Sequence, residues 1–169
     1  LGRVLPRLHN ATVTEIAFEA HGRVSKLEFP IGEFTYTYVG HSPRVSTVTY
    51  PNNQTSTYSY FNDHQDFRLQ TIHHKNPSAA MLSKFDYTHD DVGNILTWRQ
   101  ERAGSAAKIY AFTHDLVDQL TSAGLTDTNS TPRLLRRQGL SYDAAGNRTV
   151  DQNNDAVFAS THDSLNRLG

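Results

Sequence analysis

Cysteine is absent from the sequence, and methionine and tryptophan occur once each in 169 residues. Without thiols the chain builds neither a disulfide framework nor a thiolate metal site, although this leaves its compartment open. No apolar run approaches the ~18 residues that mark a membrane-spanning helix. An excess of one charge is missing too. Sixteen Lys and Arg stand against seventeen Asp and Glu, for a net charge of −1. No bulk field therefore recruits nucleic acid or an acidic membrane surface. Glycine-rich phosphate loops are absent, as is a nucleophile elbow around any serine. No stretch carries the periodicity of a long amphipathic helix. Hydrophobic residues make up 37% of the chain, below the ~45–50% of typical globular domains. Thr, Ser and Tyr take up the difference, which favours thin sheets with a wet face over a thick core. The length suits one domain.

What is present is a repeat. His89-Asp90-Asp91-Val92-Gly93-Asn94-Ile95-Leu96 recurs as His114-Asp115-Leu116-Val117-Asp118-Gln119-Leu120, as Tyr142-Asp143-Ala144-Ala145-Gly146-Asn147-Arg148 and as His162-Asp163-Ser164-Leu165-Asn166-Arg167-Leu168. A looser copy is Phe18-Glu19-Ala20-His21-Gly22-Arg23-Val24. Each unit is a ring, a carboxylate, two free positions, then Gly, Asn or Asp, then a polar residue. The residue three after each carboxylate is Gly22, Gly93, Asp118, Gly146 or Asn166. These types best tolerate positive φ. A carboxylate opening a type I turn accepts hydrogen bonds from the backbone two residues on. A left-handed fourth residue then gives a bulged hairpin. Each copy thus reads as strand, tight turn, strand, with Glu19, Asp90, Asp115, Asp143 and Asp163 as the turn carboxylates.

Period-two patterning fills the intervals. Strands are expected over Thr12 to Phe18, Val24 to Phe29, Glu33 to Tyr38, Val45 to Tyr50 and Thr55 to Tyr60. Further strands are expected over Phe67 to His73, Met81 to Thr88, Ile95 to Arg102, Lys108 to Thr113, Leu140 to Tyr142, Arg148 to Val150 and Val157 to Thr161. In the clearest hairpin, Val48, Tyr50, Tyr58 and Tyr60 share one face, and Thr47, Thr49, Thr57 and Ser59 the other. Leu120 to Thr131 is weakly patterned, Pro132 to Gln138 reads as a helical turn or a strand, and Asp151 to Asp155 reads as a polar loop. The rings Phe18, Tyr38, Tyr60, His89, His114, Tyr142 and His162 are spaced by 20, 22, 29, 25, 28 and 20 residues, less regularly than a strict solenoid.

These residues resemble a known family. Tyr142-Asp143-Ala144-Ala145-Gly146-Asn147-Arg148 and Thr161-His162-Asp163-Ser164-Leu165-Asn166-Arg167-Leu168 are similar to the YD-repeat, or Rhs-repeat, signature. Tyr50-Pro51-Asn52-Asn53 and Phe29-Pro30-Ile31-Gly32 resemble its tyrosine-proline-asparagine-glycine element. The resemblance spans roughly Thr12 to Leu168. It implies an all-β fold of meandering antiparallel strands and hairpins, a piece of the β-spiral shell found in Rhs toxins, Tc toxin cocoon subunits and teneurins. The implied role is a non-catalytic scaffold in a large secreted or cell-surface protein. Its partners would be the rest of the parent shell, an enclosed toxin polypeptide, or other copies joined through sheet edges. The segment, 1–169, is expected to be cut within a repeat at both ends, at Gly2-Arg3-Val4 and Asn166-Arg167-Leu168. His replaces the family's ring tyrosine at 89, 114 and 162.

The alternative is a carbohydrate-binding surface module in which Tyr36, Tyr38, Tyr50, Tyr58 and Tyr60 stack on surface glycans. The His-Asp pairs at 89–90, 114–115 and 162–163 read as turn caps. Each pair sits in its own hairpin, where adjacent residues face opposite ways, so no metal site is expected of them. No cofactor, catalytic residue or acid/base carboxylate pair is assigned. Arg133, Arg136 and Arg137 read as a solvated loop, so no nucleic-acid surface is expected.

Overall fold

The computed structural model describes residues 4–9 and 12–168, with side chains from residue 15 onward. Alternating β-branched or aromatic and polar residues give fourteen strands among the described residues. The helical content of the described residues is one short 3-10 turn, Asp63–Gln65. The chain forms two compact units, Leu1–Lys84 and Phe85–Gly169.

The first unit holds β1 (Val4–His9), β2 (Thr12–Phe18), β3 (Val24–Phe29), β4 (Gly32–Tyr38), β5 (Val45–Thr49), β6 (Thr55–Tyr60) and β7 (Leu69–Lys75). Each pairs antiparallel with the next. Register sorts the side chains into rows. Tyr36, Val48, Ser56 and His74 lie directly opposite one another across four strands. On the other face Thr37, Thr47 and Thr57 form a threonine row. Nearby, Glu15, Glu28 and Glu33 are directly opposed, with Lys26 Nζ at 3.7, 3.2 and 3.4 Å from them.

β8 (Met81–His89) begins in the first unit and ends in the second. The second unit continues with β9 (Ile95–Arg102), β10 (Ser105–His114), β11 (Leu120–Asp127), β12 (Leu134–Tyr142), β13 (Arg148–Asn153) and β14 (Ala156–Ala159). Here too the strands pair antiparallel in chain order. Trp98 stacks between Tyr87 and Tyr110, at 6.3 and 5.5 Å, and Tyr110 stacks on Phe112. Only Val48 and Ala107 are buried apolar residues among those described. The stability of such thin sheets rests on cross-strand pairs and on turns.

Several expectations are corrected. Phe67 is not in a strand. Asp66 and Phe67 both take positive φ after the 3-10 turn, and β7 starts at Leu69 and runs to Lys75. Leu120–Asp127 is a strand despite its weak pattern. The ambiguous 132–138 stretch is extended from Leu134, so Arg136 and Arg137 lie on a strand rather than in a loop. Asp151 to Asn153 belong to β13, and the turn is confined to Asn154 and Asp155. The last strand stops at Ala159, beyond which His162 and Leu168 form a single bridge. The repeat tail expected at residues 1–3 lies outside the described residues.

Candidate functional site: the aspartate turns and the tyrosine face

The hairpin at Asp143 shows how the repeated unit works. The Asp143 amide donates to the Asn147 carbonyl at 3.0 Å, and the Gly146 amide donates to the Asp143 carbonyl at 3.0 Å. Asp143 Oδ1 accepts the amides of Ala145 and Asn147, both at 2.9 Å. Its Oδ2 accepts the Asn147 side-chain amide at 3.0 Å. Both carboxylate oxygens are therefore consumed by the turn they open. The same backbone pair recurs at Glu19/Arg23, Asp90/Asn94, Asp115/Gln119 and Asp163/Arg167. The fourth residue has positive φ in every copy: Gly22 78°, Gly93 108°, Asp118 64°, Gly146 82° and Asn166 59°.

These hydrogen bonds set the electrostatics. The Arg23 guanidinium and then the His21 ring hold the Glu19 carboxyl down to about 2. The Asn147 side-chain amide leads the groups that lower Asp143, and Arg167 leads those that lower Asp163. At Asp90 burial pushes upward most strongly. The Asn94 side chain and the amides of Asn94, Gly93 and Val92 together outweigh it, leaving that carboxyl low as well. A carboxylate locked in its charged form by its own backbone is a poor general acid or base. Among the described residues no group of three or more His, Cys, Asp or Glu side chains is placed to hold a metal ion.

The fifth turn position carries a link between neighbouring turns that period-two reading does not reveal. Asn94 Nδ2 donates both to Asp90 Oδ2 in its own turn and to Asp118 Oδ1 in the next, at 3.0 and 2.7 Å. Asn147 Nδ2 likewise reaches Asn166 Oδ1 at 3.0 Å. In the first unit Arg23 donates to Glu19 at 2.7 and 3.0 Å, and to the carbonyls of Gly40, at 3.0 Å, and Ser42 in the neighbouring turn. The signal was visible as the polar residue closing every copy. Two further turns of this geometry open on uncharged residues, Tyr50/Gln54 and Asn76/Ala80. In the second of these, Ala79 holds φ 63° where the other copies place Gly, Asn or Asp.

The ring position has a defined task where it is tyrosine. Tyr38, Tyr60 and Tyr142 end their strands. Their hydroxyls donate to the carbonyls of Val24, Val45 and Leu120, at 2.7, 2.9 and 2.9 Å. Each acceptor is the first residue of the preceding strand. Imidazole is too short for this reach. The buried Nδ1 atoms of His114 and His162 face no hydrogen-bonding partner among the described residues.

Tyr36, Tyr38, Tyr50, Tyr58 and Tyr60 are all half-buried. The Arg23 guanidinium already covers the Tyr38 ring at 4.4 Å. The Tyr50 hydroxyl shares a hydrogen bond with fully buried Ser56 at 3.0 Å, and Ser56 shares another with His74 Nδ1 at 2.6 Å. Burial raises the Tyr58 phenol. A shallow hollow of about 260 Å³ opens beside Tyr50, lined by Ile31, Phe34, Pro51, Asn52 and Gln54.

No protein-family model and no curated protein matches the sequence. Solved structures do. The TcdB2-TccC3-Cdc42 crystal structure matches 93% of this chain at 20% identity and a TM-score of 0.75. The Photorhabdus luminescens Tc holotoxin pore matches 94% at 19% identity and a TM-score of 0.75. In both cases the chain spans 9% of the length of the matched chain. At these identities the likeness is one of fold. The chain has the all-β, antiparallel meander of the Tc toxin chains it matches.

Proposed function

We propose that the chain is a non-catalytic structural segment of a YD-repeat shell belonging to a large secreted or surface protein. One observation carries this reading. The strongest polar groups of the repeat, the turn carboxylates and the Asn94 and Asn147 amides that close two of the turns, are spent on their own turn and on the adjacent one. Such a surface holds hairpins in line and leaves little chemistry to spare. The fold likeness to Tc toxin chains, of which this chain spans 9%, supports a place in a larger wall. The partners are then the rest of the parent shell, or other copies through sheet edges, with an enclosed toxin polypeptide as cargo. Electron cryo-microscopy of the full parent polypeptide tests the proposal. A hollow particle with these strands in its wall is expected, and an independent module outside any shell would overturn the reading.

A second reading is favoured by the hollow beside Tyr50, where Phe34 and Tyr50 meet the amide side chains of Asn52 and Gln54. Aromatic rings beside amides suit a sugar ring, so this corner would serve as a surface-glycan site. Micromolar binding on a glycan array, lost in Tyr50→Ala or Tyr58→Ala, is its signature; a blank array removes it.

A further inference from the structure

The imidazoles of His21 and His41 belong to different hairpins and meet. His21 Nε2 and His41 Nδ1 are 2.8 Å apart, with ring centroids at 4.6 Å and ring planes inclined by 66°. Both side chains are exposed. His21 Nδ1 lies 3.1 Å from Glu19 Oε2, which places the proton of a neutral His21 on Nδ1 and leaves Nε2 as a lone pair. Arg23 then fixes the spacing of the two turns, donating to Glu19 in one and to the carbonyls of Gly40 and Ser42 in the other.

We propose that His21 and His41 form a two-histidine site for a late first-row divalent cation, Cu²⁺ above all, with water completing the coordination. A carboxylate behind a ligating imidazole is the usual outer partner that fixes tautomer and ring direction, and Glu19 already holds that place. Two nitrogens each about 2.0–2.1 Å from a metal, in adjacent tetragonal positions, lie about 2.9 Å apart. The pair is found at 2.8 Å as a hydrogen bond, so the two rings have to turn but not to travel to present both nitrogens to one ion. Binding replaces the imidazole–imidazole hydrogen bond: the His41 proton moves from Nδ1 to Nε2, both rings turn their free lone pairs toward the ion, and no net proton is lost. Imidazole ligands without thiolate, and partial coordination by water, favour Cu²⁺ over Ni²⁺ and Ni²⁺ over Zn²⁺. The bound ion would pin the β2–β3 and β4–β5 turns together and stabilise the fold by mass action.

The test is titration of the 169-residue chain with CuCl₂, NiCl₂ and ZnCl₂ by calorimetry, with two-dimensional amide NMR in CuCl₂. The expected result is one Cu²⁺ per chain with micromolar affinity, in the order given, and paramagnetic broadening centred on His21 and His41. His21→Gln and His41→Gln should each weaken Cu²⁺ at least about tenfold. Absence of micromolar binding, broadening centred on another histidine such as His73 or His74, or unchanged affinity in both variants would overturn the proposal. Should a variant fail to fold, the broadening map of the unaltered chain decides alone.

Discussion

The Asn94 side chain donates to Asp118 Oδ1 at 2.7 Å, tying the fifth residue of one turn to the left-handed residue of the next. Because Asn94 also donates to Asp90, one amide serves two hairpins. A double-mutant cycle of Asn94→Ala and Asp118→Gly isolates the link, since Gly keeps the positive φ that Asp118 holds. We expect a coupling of about 0.5–1.5 kcal/mol in urea unfolding. Strict additivity would show that the turns are independent.

The missing hydroxyl at the histidine ring positions predicts a gain. His114 ends β10 as Tyr142 ends β12, and Ile95 opens β9 as Leu120 opens β11. His114→Tyr should donate to the Ile95 carbonyl as Tyr142 does to Leu120. It should stabilise by about 0.5–1.5 kcal/mol, one net hydrogen bond. The companion His114→Phe should gain less, because it supplies the ring alone. Equal effects of the two substitutions would refute the role given to the hydroxyl.

Acid should dismantle the turns in a defined window. Glu19 is held at about 2 against an ordinary 4.5. A carboxyl lowered by folding contributes stability that is fully present above its unfolded pKa and is lost as pH falls toward its folded one. For Glu19 the loss therefore runs from about pH 4.5 down to about 2. Asp90, Asp143 and Asp163 are lowered from 3.8 and add their losses below it. Asp143→Asn should flatten the acid limb of a stability–pH curve while lowering its plateau, because Asn keeps one acceptor oxygen and sets its amide against that of Asn147. A mutant curve parallel to that of the unaltered chain would contradict this.

Legibility followed the physics of thin sheets. Thr12–Phe18, Val24–Phe29, Thr55–Tyr60 and Ile95–Arg102 have the bounds read from period-two alternation, because turn residues bound each of these β-rich runs. β11 and β12 escaped that reading. Gly124, Ala123 and Gly139 give little contrast, and Arg136, Arg137 and Gln138 place polar groups on both faces, which a two-sided wet sheet tolerates. The αL pair Asp66 and Phe67 has no composition signal, since Phe rarely takes that conformation. The positions with positive φ in the five carboxylate turns are those where the sequence places Gly, Asn or Asp. Of the lateral links only the polar fifth residue was legible and not its partner, because only register brings Asn94 beside Asp118 across 24 residues.

Glycines at positive φ should differ in cost. Gly22 has φ 78° with open space around a notional Cβ, whereas at Gly32, φ 118°, that Cβ would lie 2.6 Å from the Pro51 Cβ. Gly22→Ala should cost about 1 kcal/mol, backbone strain alone. Gly32→Ala adds a clash against a rigid ring in the neighbouring hairpin and should cost at least about 2 kcal/mol. Equal costs in denaturant unfolding would mean that the Gly32–Pro51 approach is not held in solution.

The row Glu15, Glu28 and Glu33 sets three carboxylates directly opposite one another, an arrangement that repels. Lys26 Nζ lies within 3.7 Å of all three. Its own ammonium is held in the charged form by Glu28 first, against some burial, and by Glu33 and Glu15. One cation thus offsets three anions and leaves two negative charges uncompensated in the row. Removing it in Lys26→Gln should lower the urea midpoint at neutral pH and low salt. The loss should shrink with added salt, since these groups are solvent-exposed and screened. It should shrink further in Lys26→Gln with Glu28→Gln, which removes the central charge and leaves Glu15 and Glu33 two strands apart. A Lys26→Gln midpoint that is unchanged at low salt, or insensitive to both salt and Glu28→Gln, would show that the three carboxylates stay apart without the lysine.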